Sequence, residues 1–157
     1  MEPDQAIDNA HAALTNDDLD DETALHRVVE VLSAAHPTWS WVGIYLLVGD
    51  TLALGPYVGP DTEHTRIPVG TGICGAAAET GRNMVVGNVK AVDNYLACSP
   101  GTQSELVVLI RDDGDIVGVI DIDSDDLDAF SPADIDSLRP LTAVAGPRCG
   151  RLAATLS

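Results

Sequence analysis

The sequence is poor in positive charge. It has 157 residues, 8 of them Lys or Arg against 25 Asp or Glu, for a net charge of −17, and Lys90 is the only lysine. Such a surface repels phosphate backbones and anionic lipid, which argues against nucleic-acid or membrane-surface binding. No apolar run approaches the roughly 20 residues needed to span a bilayer, and the acidic N-terminus lacks a signal-peptide pattern. A cytoplasmic protein is therefore expected. Aromatics are only 4% of the chain, with a single Phe. Cysteine is scarce too: Cys74, Cys98 and Cys149 are all there is. An odd count in such a chain argues against a disulfide framework and leaves reactive, redox-paired or inert thiols.

What is present is acid spread over many segments, mostly as Asp. No acidic tail is set apart, so the excess reads as a solvated surface. The composition resembles that of proteins from salt-loving archaea, where concentrated salt screens the repulsion. An apolar fraction of 45% and clear periodicity argue for a packed core rather than disorder. The length suits one domain over residues 1–157.

Periodicity predicts helices over residues 3–15 and 22–36, the second stopped by Pro37. Strands follow over 40–48 and 51–57, joined by a Gly49-Asp50 turn. Residues 65–68 are short and extended. A small-residue helix over 73–79 ends at Gly81, and 84–86 reads as a short strand. Residues 87–101 are irregular, and such long segments are usually functional. A hairpin over 106–120 comes next. Ser131, Pro132 and Asp134 open a final helix with a capping box, which Pro140 and Pro147 are expected to kink or interrupt. The fold class is α+β: one antiparallel sheet with the N-terminal helix pair and the C-terminal helix on one face, and ligand-pocket loops on the other.

The chain is organised around residues 98–124. Cys98 lies on a loop, Glu105 opens one strand, and Asp121 and Asp123 end its hairpin partner. Alternation puts Asp121 and Asp123 on one face, in line with Val117 and Val119. Antiparallel pairing brings Glu105 beside them and Cys98 within reach. Three acids on one patch repel unless a cation or a proton sits among them. Cys74, between Gly72 and Gly75 at a helix start, is either a thiol activated by the helix N-terminus or a small core residue. Trp41 and Tyr45 share a strand face with Gly43 between them, which marks either a ligand gap or packed core aromatics. Cys149 reads as structural or incidental. Glu105, Asp121 and Asp123, with His64, could alternatively hold Mg²⁺ or Ca²⁺. No spacing supports zinc, and the segment 70–75 lacks a phosphate-loop signature.

Over about residues 41–130 the chain resembles the free methionine-(R)-sulfoxide reductases, built on a single GAF domain. The pieces that carry this are Trp41-Val-Gly-Ile-Tyr45, Leu54-Gly-Pro-Tyr57, Arg66-Ile-Pro-Val-Gly-Thr-Gly-Ile-Cys74-Gly, Leu96-Ala-Cys98, Ser104-Glu105 and Gly118-Val-Ile-Asp121-Ile-Asp123-Ser124. The resemblance implies Cys98 as catalytic nucleophile and Cys74 as second catalytic cysteine. It implies Glu105, Asp121 and Asp123 as carboxylates that hold substrate and assist protonation, and Trp41 and Tyr45 as pocket aromatics. It also implies no bound cofactor, an external thioredoxin-like reductant and a homodimer. His64 stands where many members carry a further, often resolving, cysteine. A GAF module that senses a small ligand without turnover is the alternative.

Overall fold

The computed structural model describes residues 1–93, 95 and 101–157. The elements run α1 (Pro3–Leu14), α2 (Asp21–Ala35), β1 (Trp39–Val48), β2 (Thr51–Val58), β3 (Arg66–Pro68), α3 (Gly72–Thr80), β4 (Met84–Val86), β5 (Ser104–Asp112), β6 (Asp115–Ser124) and α4 (Pro132–Ala154), with one 3₁₀ turn at Val89–Ala91. The six strands form one antiparallel sheet in the order β3-β2-β1-β6-β5-β4. This is the expected α+β class.

Each face of the sheet has its own core. On one face Val42, Ile44 and Leu46 of β1, with Ile120 and Ile122 of β6, meet Leu25, Val28 and Leu32 of α2 and Leu138 and Leu141 of α4. On the other face Trp41 and Tyr45 of β1, Val107 of β5 and Val119 of β6 meet Ile73, Cys74 and Ala77 of α3. The alternation of β1, buried on both sides, separates the two sets. The helix pair and α4 lie where expected. The face expected to carry loops also carries α3, because the small residues of α3 let it lie close to the strands.

Capping follows the sequence. Asp20 Oδ1 accepts the Thr23 backbone N–H at 2.7 Å to start α2. Asp134 accepts the Ser131 N–H at 2.9 Å to start α4. The expected interruption of α4 does not occur: the helix runs unbroken through Pro140 and Pro147. Both prolines are on its exposed side, as are Asp136 and Ala143, whose carbonyls lose their i+4 donors. Water can satisfy those carbonyls, while the inner stripe Leu138, Leu141, Ala145, Cys149 and Ala153 keeps its packing.

Arg148, 6% exposed, emerges from that inner stripe. It donates from Nε to the Leu14 carbonyl (2.9 Å), from Nη1 to Leu19 O (2.9 Å) and from Nη2 to Asn16 O (2.8 Å). It also meets Asp21 at 3.3 Å, and Arg151 binds the same carboxylate at 2.8 Å. One guanidinium thus satisfies the carbonyls at the end of α1 and through the turn to α2. Nothing in the local sequence pattern marked this residue.

Candidate active site

The second face of the sheet forms a grid over three strands. Glu105, Asp123 and Trp41 lie in one row, Val107, Asp121 and Gly43 in the next, and Leu109, Val119 and Tyr45 in the third. The row logic follows from period-two alternation alone. It confirms that Glu105 lies beside the aspartates, with Asp123 its direct partner across the ladder.

Cys74 is delivered from above by α3. It is the third residue of that helix, and its Sγ lies 3.9 Å from Glu105 Oε2. Donor atoms of Cys74, Glu105 and Asp121 all fall within 4.8 Å of one another. The approach depends on glycine. Gly72 has φ 67°, and a Cβ at Gly75 would stand 2.7 Å from the Pro68 carbonyl oxygen. A small cavity is lined by Cys74, Glu105 and Asp121 together with Ile67, Thr71, Gly72 and Ile73. Of these lining residues, Ile67 and Thr71 carried no chemical signal in the sequence.

The carboxylates are deeply enclosed: Asp121 is 0%, Asp123 1% and Glu105 3% exposed. Among the described residues, no oxygen of Asp121 or Asp123 meets a hydrogen-bond partner at normal distance. Burial pushes the Asp121 pKa up, against the lowering influence of Glu105 and Cys74. Asp123 is held well above the carboxylate range by burial, then by the charges of Asp121 and Asp125. The site is therefore biased toward holding protons until something positive enters.

Trp41 and Tyr45 are fully buried. The gap expected at Gly43 is taken by the tip of the Trp41 indole, which lies against the place a Cβ would occupy. Trp41 Nε1 donates to the Pro60 carbonyl at 3.0 Å, and the Tyr45 hydroxyl to the His64 carbonyl at 2.8 Å. The Trp41 ring also stacks on Tyr57, with centroids 5.5 Å apart, and the Tyr57 hydroxyl donates to Asp61 at 2.5 Å. Three aromatics of the β1–β2 pair thus tether loop 59–65 beside the acid grid. The sequence pointed to the rings of Trp41 and Tyr45 but not to this tether. The His64 imidazole does not join the Cys74–Glu105–Asp121 group among the described residues; it lies 4.0 Å from Glu63.

Cys98 lies outside the described residues. Cys149 is buried in the helical core, on the far face of the sheet. Burial and the nearby Asp21 charge push its pKa up to about 12. It stays a thiol at neutral pH, in line with the structural reading.

The family model of the GAF domain matches residues 20–146. The chain is 39% identical over 104 residues to the free methionine-R-sulfoxide reductase of Escherichia coli, a match spanning 66% of this chain and 62% of that relative's length. Among solved structures, it superposes on the free methionine-R-sulfoxide reductase of Neisseria meningitidis in complex with its substrate with a TM-score of 0.85 and 36% identity, over 94% of this chain and 89% of that one. The type II free methionine-R-sulfoxide reductase of Thermoplasma acidophilum gives 0.81 and 35%, over 83% and 93%. The chain belongs to the GAF domain family, among its free methionine-R-sulfoxide reductases.

Proposed function

We propose that this protein reduces free L-methionine (R)-S-oxide to methionine, as a single GAF domain spanning residues 1–157. The observation that carries the reading is the convergence of Cys74, Glu105 and Asp121 on one buried point, with Asp123 enclosed beside them. The sulfoxide substrate carries an ammonium group, and its oxygen must take a proton as sulfur is attacked. A buried anionic patch with raised pKa values serves both needs.

The Cys98 thiolate attacks the sulfoxide sulfur. The S–O bond breaks with a proton delivered from the carboxyl cluster and the oxygen departs as water; water then attacks the Cys98 sulfur, its bond to the methionine sulfur breaks, methionine leaves, and Cys98 becomes a sulfenic acid. Cys74 then condenses with it, releasing water and forming a disulfide, which a thioredoxin-like protein reduces. His64 supplies no thiol, so Cys74 is the resolving group in this scheme. Trp41 and Tyr45 form the wall around the substrate. This cycle needs a reducing compartment, the cytoplasm, where it removes an oxidation product and so acts as an antioxidant. The acidic surface supports operation in concentrated salt, as a homodimer.

The test is to incubate the protein with dithiothreitol and each diastereomer of methionine sulfoxide in high salt, and to follow free methionine. Turnover of the R form alone, lost in Cys98→Ser, is expected. Stabilisation by the sulfoxide without turnover would replace the enzyme with a sensing module.

A further inference from the structure

The atoms that converge beneath α3 are one sulfur and two carboxylate oxygens, a mixed set. Cys74, Glu105 and Asp121 come from α3, β5 and β6, yet a donor atom of each lies within 4.8 Å of the other two. All three side chains are buried. The Cys74–Glu105 separation is 3.9 Å. Around a tetrahedral ion with metal–sulfur and metal–oxygen distances of about 2.3 and 2.0 Å, sulfur and oxygen donors sit about 3.5 Å apart. Closing the site on such an ion therefore takes shifts of about 1 Å or less.

A second, independent feature points to a cation. Asp123 is 1% exposed, neither of its oxygens has a hydrogen-bond partner among the described residues, and it stands across the ladder from Glu105. A buried carboxylate without donors is costly unless a positive guest enters. Oxygen-seeking Mg²⁺ and Ca²⁺ have little use for the sulfur. A thiolate with two carboxylates suits Zn²⁺, Co²⁺ or Fe²⁺.

We propose that Cys74, Glu105 and Asp121 form a binding site for a thiophilic divalent cation of the zinc class, with Asp123 adding its charge alongside. On binding, the Cys74 S–H bond gives way to a sulfur–metal bond and the proton leaves to solvent; nothing is oxidised. Where the reductase reading holds, the ion occupies the carboxylates that receive substrate and so silences the enzyme reversibly.

Metal binding is read without turnover, so its outcome is separable from that of the reductase reading. Titrating phosphine-reduced protein with Co²⁺ gives a thiolate-to-cobalt absorption band saturating at one ion per chain. The band is absent in Cys74→Ser and retained in Cys98→Ser and Cys149→Ser. Asp121→Asn weakens binding at least tenfold. X-ray absorption on the Zn²⁺-loaded wild-type protein, which needs no variant, shows a single sulfur at about 2.3 Å among oxygen neighbours. A band that survives Cys74→Ser, a band lost in Cys98→Ser, or a zinc shell without sulfur overturns the proposal.

Discussion

Glu105 and Asp123 sit directly opposite each other across the β5–β6 ladder, both all but sealed from solvent. Like charges in that relation destabilise a sheet, and here Asp121 stands on the same face one pair along. The repulsion is relieved where an acid holds a proton, and burial raises the pKa of both aspartates.

Asp123→Asn tests that cost. The folded Asp123 pKa is raised, so its contribution to stability is intact below the ordinary value of 3.8 and is lost as pH rises toward the folded pKa. At neutral pH the amide is neutral without having to hold a proton, so that cost is removed. The expected result is a gain of about 1–2 kcal/mol, or a few degrees in Tm, with reductase turnover reduced at least tenfold. Scanning calorimetry at pH 7 with a parallel turnover assay checks both, and a Tm loss would contradict the account.

Cys74→Ser separates attack from resolution. If Cys74 resolves the sulfenic acid, the variant keeps a single turnover and its dithiothreitol-driven activity, but fails with a thioredoxin-like reductant. Quenched-flow methionine yield and mass spectrometry of the oxidised protein distinguish the two. A Cys98 adduct with no linkage to Cys74 in the wild-type protein would reject this role.

Tyr45→Phe removes one hydroxyl and keeps the ring. Its hydrogen bond to the His64 carbonyl is lost, and loop 59–65 loosens beside the acid grid. A rise in KM of severalfold with little change in kcat is expected, for a bond worth about 1 kcal/mol. An unchanged KM would show that the loop does not shape the pocket.

Arg148→Met leaves the buried Leu14 carbonyl, the part-buried contacts to the Asn16 and Leu19 carbonyls and part of Asp21 without their donor. A loss of about 3–5 kcal/mol is expected, read from urea unfolding. Turnover per folded molecule should be unchanged, since the residue lies on the helical side of the sheet.

Cys149 should resist alkylation at pH 8 in the folded protein and react once unfolded. Its folded pKa is raised from 9.0 to about 12, so its share of stability holds below pH 9 and is lost between pH 9 and 12. Mass spectrometry after iodoacetamide treatment, with and without denaturant, checks this. Rapid modification of the native protein would mean that α4 opens readily.

The residues that gave most away in the sequence were those whose spacing carries its own geometry. Asp121 and Asp123, two apart at the end of a strand, had to share a face; Glu105 at the mouth of the partner strand had to lie nearby. Ser131, Pro132 and Asp134 fixed the start of α4. Other features escaped because they depend on distant packing. Arg148 was unreadable because its acceptors lie well over a hundred residues away. The continuity of α4 escaped the reading because the pattern alone did not say that Pro140 and Pro147 take the exposed side, where the freed carbonyls reach water. The Trp41 ring filling the space over Gly43 is likewise a rotamer choice that composition does not encode.

The acids of β6 have a second consequence. A slip of that strand by one residue would thrust Asp121 and Asp123 among the leucines and valines under α2 and α4, and turn Ile120 and Ile122 toward the cavity. Misaligned sheets are thereby penalised far more heavily than an all-aliphatic strand would allow. The same pair that builds the acid grid also disfavours wrong registers of its own strand.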